Sequence, residues 1–179
     1  MLEMDKTALL VVDIQGTLAR TVHDSHQVYL NWIKLIKAAR VFQLPIILLE
    51  QNPRGLGVTI PELRELLGDQ KPIGKMTFNA CYNEEFVQKL RATGREQLLV
   101  AGIEAHVCVY QTVTGILKLP YQVYIASDAV SSRTSWNRQM ALKRMQELGA
   151  VITTTEMALF EMMRTAEGEL FKKFIKIVK

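Results

Sequence analysis

Five short apolar runs, separated by segments of helical periodicity, constrain the fold of this sequence most strongly. They cover residues 8–13, 46–50, 98–102, 122–126 and 150–153. The first three runs are nearly continuous Val, Ile and Leu, which is typical of strands that are covered on both faces. Strands that alternate with helices favour βαβ units and a parallel sheet. The sequence therefore predicts an α/β fold, a three-layer α/β/α Rossmann-like sandwich with a central parallel sheet.

The segments between the runs carry helix signals. Asn83 is a capping residue at the start of one segment, and Gly94 follows the last periodic position of that segment, as Gly149 does for residues 134–148. A glycine after the last turn and a capping residue before the first mark the ends of a helix. The pattern predicts helices over residues 26–43, 83–93, 109–117 and 134–148.

Composition excludes several classes of protein. With 179 residues, 49% of them hydrophobic and 22% charged, the chain can bury a core and is not disordered. No apolar run approaches the roughly 20 residues that a membrane-spanning helix needs, and the acidic start of the chain is unlike a secretory signal. Two cysteines are too few for a disulfide framework. We expect one domain over residues 1–179, a cytoplasmic location and no membrane partner.

The basic residues are scattered rather than clustered. Lys and Arg number 22 against 18 Asp and Glu, so the net charge is only +4. The densest basic stretch is the tail, where Phe171, Phe174, Ile175 and Val178 would share one face of a helix. This predicts a docked amphipathic helix with solvated lysines, and a phosphate-binding patch is the alternative. We expect no nucleic-acid partner.

Ligands of such folds bind beyond the carboxyl ends of the strands, so the residues there are candidates for chemistry. Asp13 ends the first run, residues 50–51 end the second, and the loop over residues 102–108 follows the third. Cys108 would lie at a helix N-terminus, which lowers the pKa of a thiol; the alternative is a small buried apolar side chain. Cys81 has no such setting, and Lys75, in a polar loop, is by itself more typical of solvated surface.

Three motifs in order, VVDIQ, GKMTF and GIEAHVC, resemble those of the isochorismatase-like cysteine hydrolases. The resemblance continues through residues 127–133 and 153–162 and implies a Rossmann-like fold. It implies a catalytic triad of Asp13, Lys75 and Cys108, each at its motif position. It also implies a cis peptide bond at Ile103–Glu104 and an oxyanion hole formed by the backbone N–H groups of Glu104 and Cys108.

The implied reaction is acyl transfer to the Cys108 sulfur and hydrolysis of the thioester. Because the cysteine is retained, we expect a small amide, ureide or related C–N bond as substrate. Metal-dependent nicotinamidases place an aspartate and several histidines after the second strand; residues 51–74 hold no histidine and only Asp69. We therefore expect no metal and no cofactor. Family members are commonly oligomeric, and an apolar C-terminal helix offers an exchangeable surface, so we expect a homo-oligomer, a dimer or larger.

Five further residues near the motifs are predicted to line the substrate pocket. They are Gln15, Leu18, Gln51, Phe78 and Gln111.

Other functions explain less of the sequence. Residues 13–18, DIQGTL, resemble the opening motif of haloacid-dehalogenase-type phosphatases, but Gln15 replaces their general acid and Cys108 is left unexplained. The turn after the first strand lacks the GxGxxG of dinucleotide-binding enzymes. A catalytically idle family member that acts as a binding protein is the alternative from a different class.

Overall fold

A six-stranded parallel sheet forms the centre of the protein in a computed structural model that describes residues 1–179. The strands are β1 (Thr7–Val12), β2 (Ile46–Gln51), β3 (Ile73–Lys75), β4 (Gln97–Ile103), β5 (Gln122–Ser131) and β6 (Val151–Thr153). Their order across the sheet is β3-β2-β1-β4-β5-β6, and every neighbouring pair is parallel. The predicted parallel sheet is confirmed.

The continuous apolar runs form strands because both faces of the sheet are covered. Every residue of β1, β2 and β4 is buried. Successive side chains of a strand point to opposite faces, and in β1 Leu9 and Val11 join a core of 30 buried residues, whereas Leu10 and Val12 join a core of 22 on the other face. Two apolar layers therefore enclose the sheet.

Nine α-helices connect the strands. They are α1 (Leu18–Thr21), α2 (Ser25–Val41), α3 (Pro53–Leu56), α4 (Pro61–Leu67), α5 (Glu84–Ala92), α6 (Tyr110–Ile116), α7 (Ser135–Glu147), α8 (Thr155–Met163) and α9 (Gly168–Val178). The larger core is shared with α2, α4, α8 and α9, and the smaller core with α5, α6 and α7. This is the three-layer α/β/α arrangement that the sequence predicts. Each helix is too short or too polar to cross a lipid bilayer.

The capping signals mark real helix ends. The Asn83 side chain accepts a hydrogen bond from the Phe86 N–H at 3.0 Å, and the Thr134 side chain accepts one from the Asn137 N–H at 3.2 Å. The tail is helical as predicted: Phe174 of α9 is fully buried. The apolar face of α9 packs on the larger core of its own chain, and the suggestion that this helix offers an exchangeable surface stays a prediction.

Two features of the sheet differ from expectation. The strand β3 was not predicted, because it has only three residues and its central Gly74 is exposed, so it carries no period-2 signal. The strand β5 continues to Ser131, beyond the predicted end at residue 126. Pairing of β5 with β4 shifts in register between Val100 and Gly102, and this irregularity carries the polar second half of β5 along the sheet.

The strand order defines where a ligand binds. The chain moves outward from β1 through β2 to β3, returns to β4 on the other side of β1, and moves outward again to β6. A crevice forms at such a switch point, outside the carboxyl ends of the strands. The residues that follow β1 and β4 therefore face one crevice.

Candidate active site

Asp13 follows β1 directly and turns the chain at the carboxyl edge of the sheet. Its φ of 52° is in the left-handed region, which non-glycine residues seldom adopt, and its N–H donates to the Leu49 carbonyl at 3.1 Å. The side chain is buried, with 3% of the residue exposed. A carboxylate so placed needs a polar partner.

That partner is Lys75. Its Nζ lies 2.7 Å from Asp13 Oδ2 and 2.7 Å from Gln51 Oε1. Sequence reasoning placed Lys75 in a polar loop, but it is the last residue of β3, paired in register with Gln51, and only 2% of it is exposed. The short strand therefore carries the ammonium group into the interior, where it meets the carboxylate as an ion pair.

Cys108 lies inside a helical turn rather than at its first residue. A π-helical turn over Ala105–Val109 precedes α6, and the N–H groups of Val107 and Val109 donate to the Glu104 carbonyl at 3.1 and 3.2 Å. The peptide bond between Ile103 and Glu104 is cis, as the resemblance implied. The Cys108 thiol is 6% exposed and donates to Gln51 Oε1 at 3.8 Å.

Burial controls the protonation of this site. It raises the pKa of the Asp13 carboxyl above its ordinary value, and Lys75 opposes that rise. It raises the pKa of the Cys108 thiol to about 12, with the charge of Asp13 adding to the rise and Lys75 opposing it. The sequence predicts that a helix N-terminus lowers the pKa of Cys108, and the burial of the thiol acts in the opposite direction. A buried thiol of this kind reacts as a thiolate only when a base beside it takes its proton.

Asp13 has one oxygen available for that role. Its Oδ2 accepts from Lys75, whereas its Oδ1 is buried and has no hydrogen-bond partner. A buried carboxylate oxygen without a donor is unfavourable unless a proton or a polar group comes to it.

Two glutamines connect the edges of the crevice. Gln15 acts on the backbone of Gln51: its Oε1 accepts from the Gln51 N–H at 2.7 Å and its Nε2 donates to the Gln51 carbonyl at 3.0 Å. The same Nε2 also donates to the Gly57 carbonyl. Both amide hydrogens and the oxygen of Gln15 are therefore engaged with backbone groups, and 1% of the residue is exposed. Its place in the substrate pocket stays a prediction.

The sequence of this chain is similar to those of known proteins. A family model for the Isochorismatase domain matches residues 7–157. The chain belongs to the isochorismatase family. Isochorismatase family protein 1B of Dictyostelium discoideum is 35% identical over 180 residues, covering 98% of this chain and 87% of the relative.

Solved structures agree with this assignment. The YcaC gene product of Escherichia coli, an octameric hydrolase of unknown specificity, superposes with a TM-score of 0.90 at 29% identity, covering 98% of this chain and 91% of that one. MAR1 ribonuclease from Caenorhabditis elegans superposes with a TM-score of 0.89 at 34% identity, covering 99% and 91%. The protein is an isochorismatase-family hydrolase.

The remaining predicted pocket residues of this isochorismatase-family site surround the crevice less closely. Leu18 begins α1 and is half-buried against the larger core. Phe78 is 51% exposed, and its carbonyl accepts from the Thr112 hydroxyl at 3.2 Å. Gln111 is half-buried on α6. None of these three side chains makes a hydrogen bond to the ion pair or the thiol, in contrast to Gln51.

Sequence reasoning missed the polar residues at the end of β5. Arg133 Nε lies 3.0 Å from Glu104 Oε1, and the Arg133 N–H donates to the same oxygen at 3.1 Å. His106 Nδ1 lies 3.0 Å from the Ser132 hydroxyl. Both pairs connect the turn that carries Cys108 to β5. The segment over residues 127–133 was part of the family resemblance, and that was the signal that could have directed attention to it.

A buried carboxylate beside the site has a structural partner. Glu50 Oε1 accepts from both the N–H and the hydroxyl of Thr59, each at 2.7 Å. This contact holds the segment after β2 against the sheet. No group of three or more His, Cys, Asp or Glu side chains is arranged to hold a metal ion.

Proposed function

We propose that this protein hydrolyses a small amide, ureide or related C–N bond through a thioester on Cys108, with Asp13 and Lys75 completing a catalytic triad. The single observation that carries the proposal is the buried cluster around Lys75 Nζ, which lies 2.7 Å from Asp13 Oδ2 and 2.7 Å from Gln51 Oε1, the oxygen to which the Cys108 thiol donates. A carboxylate, an ammonium group and a thiol gathered in a desolvated crevice supply a base, a counter-charge and a nucleophile.

The reaction starts with transfer of the thiol proton to Asp13 Oδ1. The Cys108 sulfur then forms a bond to the substrate carbonyl carbon, and the carbonyl oxygen takes the negative charge. The backbone N–H groups of Glu104 and Cys108, which belong to one short turn, donate to that oxygen as the oxyanion hole. The C–N bond breaks, the nitrogen leaves with the proton from Asp13, and a thioester remains.

Water completes the cycle. Asp13 accepts a proton from a water molecule while the oxygen of that water attacks the thioester carbon, and the C–S bond then breaks. The sulfur recovers the proton, so that the acid product leaves and the thiol is restored. The raised pKa of Asp13 suits this exchange, because a carboxyl that binds a proton more readily is a better general base and then a better donor.

The proposal also covers the substrate pocket, the kind of ligand, the compartment and the domain organisation. We place Leu18, Phe78 and Gln111 at the substrate pocket and expect a small-molecule substrate, no nucleic acid and no cofactor. Both cysteines are free thiols, which suits the reducing cytoplasm. The whole chain acts as one domain, residues 1–179.

A homo-oligomer is also part of the proposal. The YcaC relative is octameric, and several large apolar side chains of this protein are exposed at the carboxyl edge of the sheet, among them Met76, Tyr82 and Trp136. Light scattering on the purified chain measures the assembly directly.

A panel of small amides and ureides with intact-mass detection tests the reaction. The wild type and Cys81→Ala should both gain the mass of the acyl group and turn substrate over, whereas Cys108→Ala should do neither. Full turnover by Cys108→Ala would overturn the thioester mechanism. RNA is included because of the ribonuclease relative: RNA cleavage that survives Cys108→Ala, with no acyl adduct from any amide, would replace the proposed function.

A further inference from the structure

Gln51 is the residue that contacts both the ammonium group and the thiol of the site. We propose that Gln51 is a positioning residue that holds the Lys75 ammonium on one oxygen of Asp13 and so keeps the other oxygen free to take the thiol proton. The inference deepens the proposed function and rests on it for the role of Asp13. It replaces the sequence-based prediction that Gln51 contacts the substrate.

The orientation of the Gln51 amide is determined by its partners. Its Oε1 accepts from Lys75 Nζ, which can only donate, and its Nε2 donates to the Met76 carbonyl at 2.9 Å, which can only accept. If the amide were flipped, its NH₂ group would face the Lys75 ammonium, donor against donor, and its oxygen would face the Met76 carbonyl, acceptor against acceptor. The side chain therefore has one orientation that satisfies both neighbours.

The backbone of Gln51 is held equally firmly. It pairs with Lys75 in the parallel register of β2 and β3. On its other side, the Gln15 amide makes hydrogen bonds to both the N–H and the carbonyl of Gln51. The Gln15 side chain thus bonds the Gln51 backbone as a neighbouring strand would. Because Gln15 follows β1 closely, the position of Gln51 is fixed with respect to β1.

This fixed oxygen limits what Lys75 can do. An ammonium group has three donors, and two of them are taken by Asp13 Oδ2 and Gln51 Oε1. Without Gln51 the ammonium would be free to donate to both carboxylate oxygens, because the pair is buried and each donor needs an acceptor. That movement would occupy Asp13 Oδ1, the oxygen that now has no partner, and would draw the positive charge away from the Cys108 sulfur.

The test replaces the amide with an apolar side chain of similar length. In Gln51→Met, alkylation of Cys108 by iodoacetamide, followed by peptide mapping of the free protein at pH 7–9, should slow by about tenfold or more because the thiolate loses its cation. The kcat should fall by a similar factor with KM unchanged. If Gln51 contacts substrate instead, KM rises and alkylation of the free protein matches the wild type, which overturns the proposal.

Gln97→Met is a matched control for loss of a buried glutamine. Gln97 is also buried and accepts from the Glu3 N–H at 2.7 Å, but it begins β4 at the opposite edge of the sheet. The Gln97→Met substitution should lower the melting temperature of the protein without changing the rate at which Cys108 is alkylated. Equal slowing in Gln97→Met and Gln51→Met would mean that both act through stability, and would overturn the positioning role.

Gln51→Glu provides a second variant that keeps an acceptor for Lys75. Its added negative charge lies close to the sulfur and raises the pKa of the thiol, so its alkylation should require higher pH than that of the wild type. A wild-type pH profile in Gln51→Glu would contradict the proposed contact. The alkylation measurements need no substrate, so a missing acyl adduct would refute the proposed function alone, whereas unchanged alkylation would refute the role of Gln51 alone.

Discussion

Cys81 and Cys108 are both free thiols whose pKa is raised by burial, but only Cys108 has charged side chains beside it. Cys108 is buried and Cys81 is half-buried, and burial raises the pKa of Cys81 to about 11 and that of Cys108 to about 12. Cys81 lies in a short 3₁₀ turn, where its thiol reaches only the Thr112 carbonyl at 4.0 Å. Cys108 faces the ion pair of Asp13 and Lys75.

In the proposed mechanism, the neighbours of a thiol, and not a low pKa of the resting thiol, separate the nucleophile from a packing residue. Cys108 has a carboxylate and a cation beside it, although burial raises its pKa. A proton can leave Cys108 for Asp13 within the site, whereas Cys81 can lose its proton only to solvent. The chemistry therefore depends on paired charges that stay buried, and each variant below removes one element of this contrast.

The largest expected effect is that of Asp13→Asn. Removing the base should reduce turnover by about 10²–10⁴-fold. Because the charge of Asp13 raises the pKa of Cys108, the same substitution should speed alkylation of Cys108 and leave Cys81 unchanged. Turnover assays and peptide mapping on one preparation check both directions. Slower alkylation at Cys108 would show that Asp13 stabilises the thiolate instead.

Lys75→Met should have the next largest effect, on stability. The pair with Asp13 is buried on both sides, and removal of one partner from a buried ion pair costs about 3–5 kcal/mol. The double variant Asp13→Asn/Lys75→Met should recover part of this loss, because no unpaired charge remains. Chemical denaturation of the three variants measures the coupling, and additive losses would mean that the two charges do not interact.

Gly115→Ala should disturb Cys81 and its neighbour Asn79 but not Cys108. An added Cβ would lie 2.6 Å from Asn79 Oδ1 and 2.8 Å from the Cys81 sulfur, and overpacking of this kind costs about 1–3 kcal/mol. The melting temperature should fall and the alkylation rate of Cys81 should change. Turnover and Cys108 alkylation should stay at wild-type values. A loss of turnover would indicate that α6 transmits the distortion to the nucleophile.

The sequence was informative wherever a residue pattern is local. Continuous apolar runs identified β1, β2 and β4 because burial on both faces demands them, and capping residues such as Asn83 identified helix starts. The three motif residues were found by family resemblance, and the structure brings Asp13, Lys75 and Cys108 to one crevice. These signals need no knowledge of distant contacts.

The sequence was uninformative where a role depends on a partner far along the chain. Lys75 looked solvated because β3 is three residues long, and its burial follows from pairing with Gln51, 24 residues away. Gln15 and Gln51 looked like ligand contacts, since an amide suits a substrate as well as a backbone. Only the fold shows that the Gln15 side chain makes hydrogen bonds to the backbone of Gln51, 36 residues away.

The last prediction compares the two thiols directly, in the wild type without substrate. Burial raises the pKa of both thiols, and the charge of Asp13 raises that of Cys108 further. Because a smaller thiolate fraction slows alkylation, iodoacetamide at pH 8 should label Cys81 roughly several-fold faster than Cys108. The greater exposure of Cys81 acts in the same direction.

This order reverses what a helix N-terminus alone predicts for Cys108, so the measurement separates desolvation from the helix dipole. Peptide mapping over a time course gives both rates from one sample. Faster labelling of Cys108 would mean that the charge of Lys75 outweighs burial and that the thiolate exists at rest. In that case Asp13→Asn would no longer be expected to speed alkylation, because the proton would already have left the sulfur, and the two results together would locate the proton before any substrate is known.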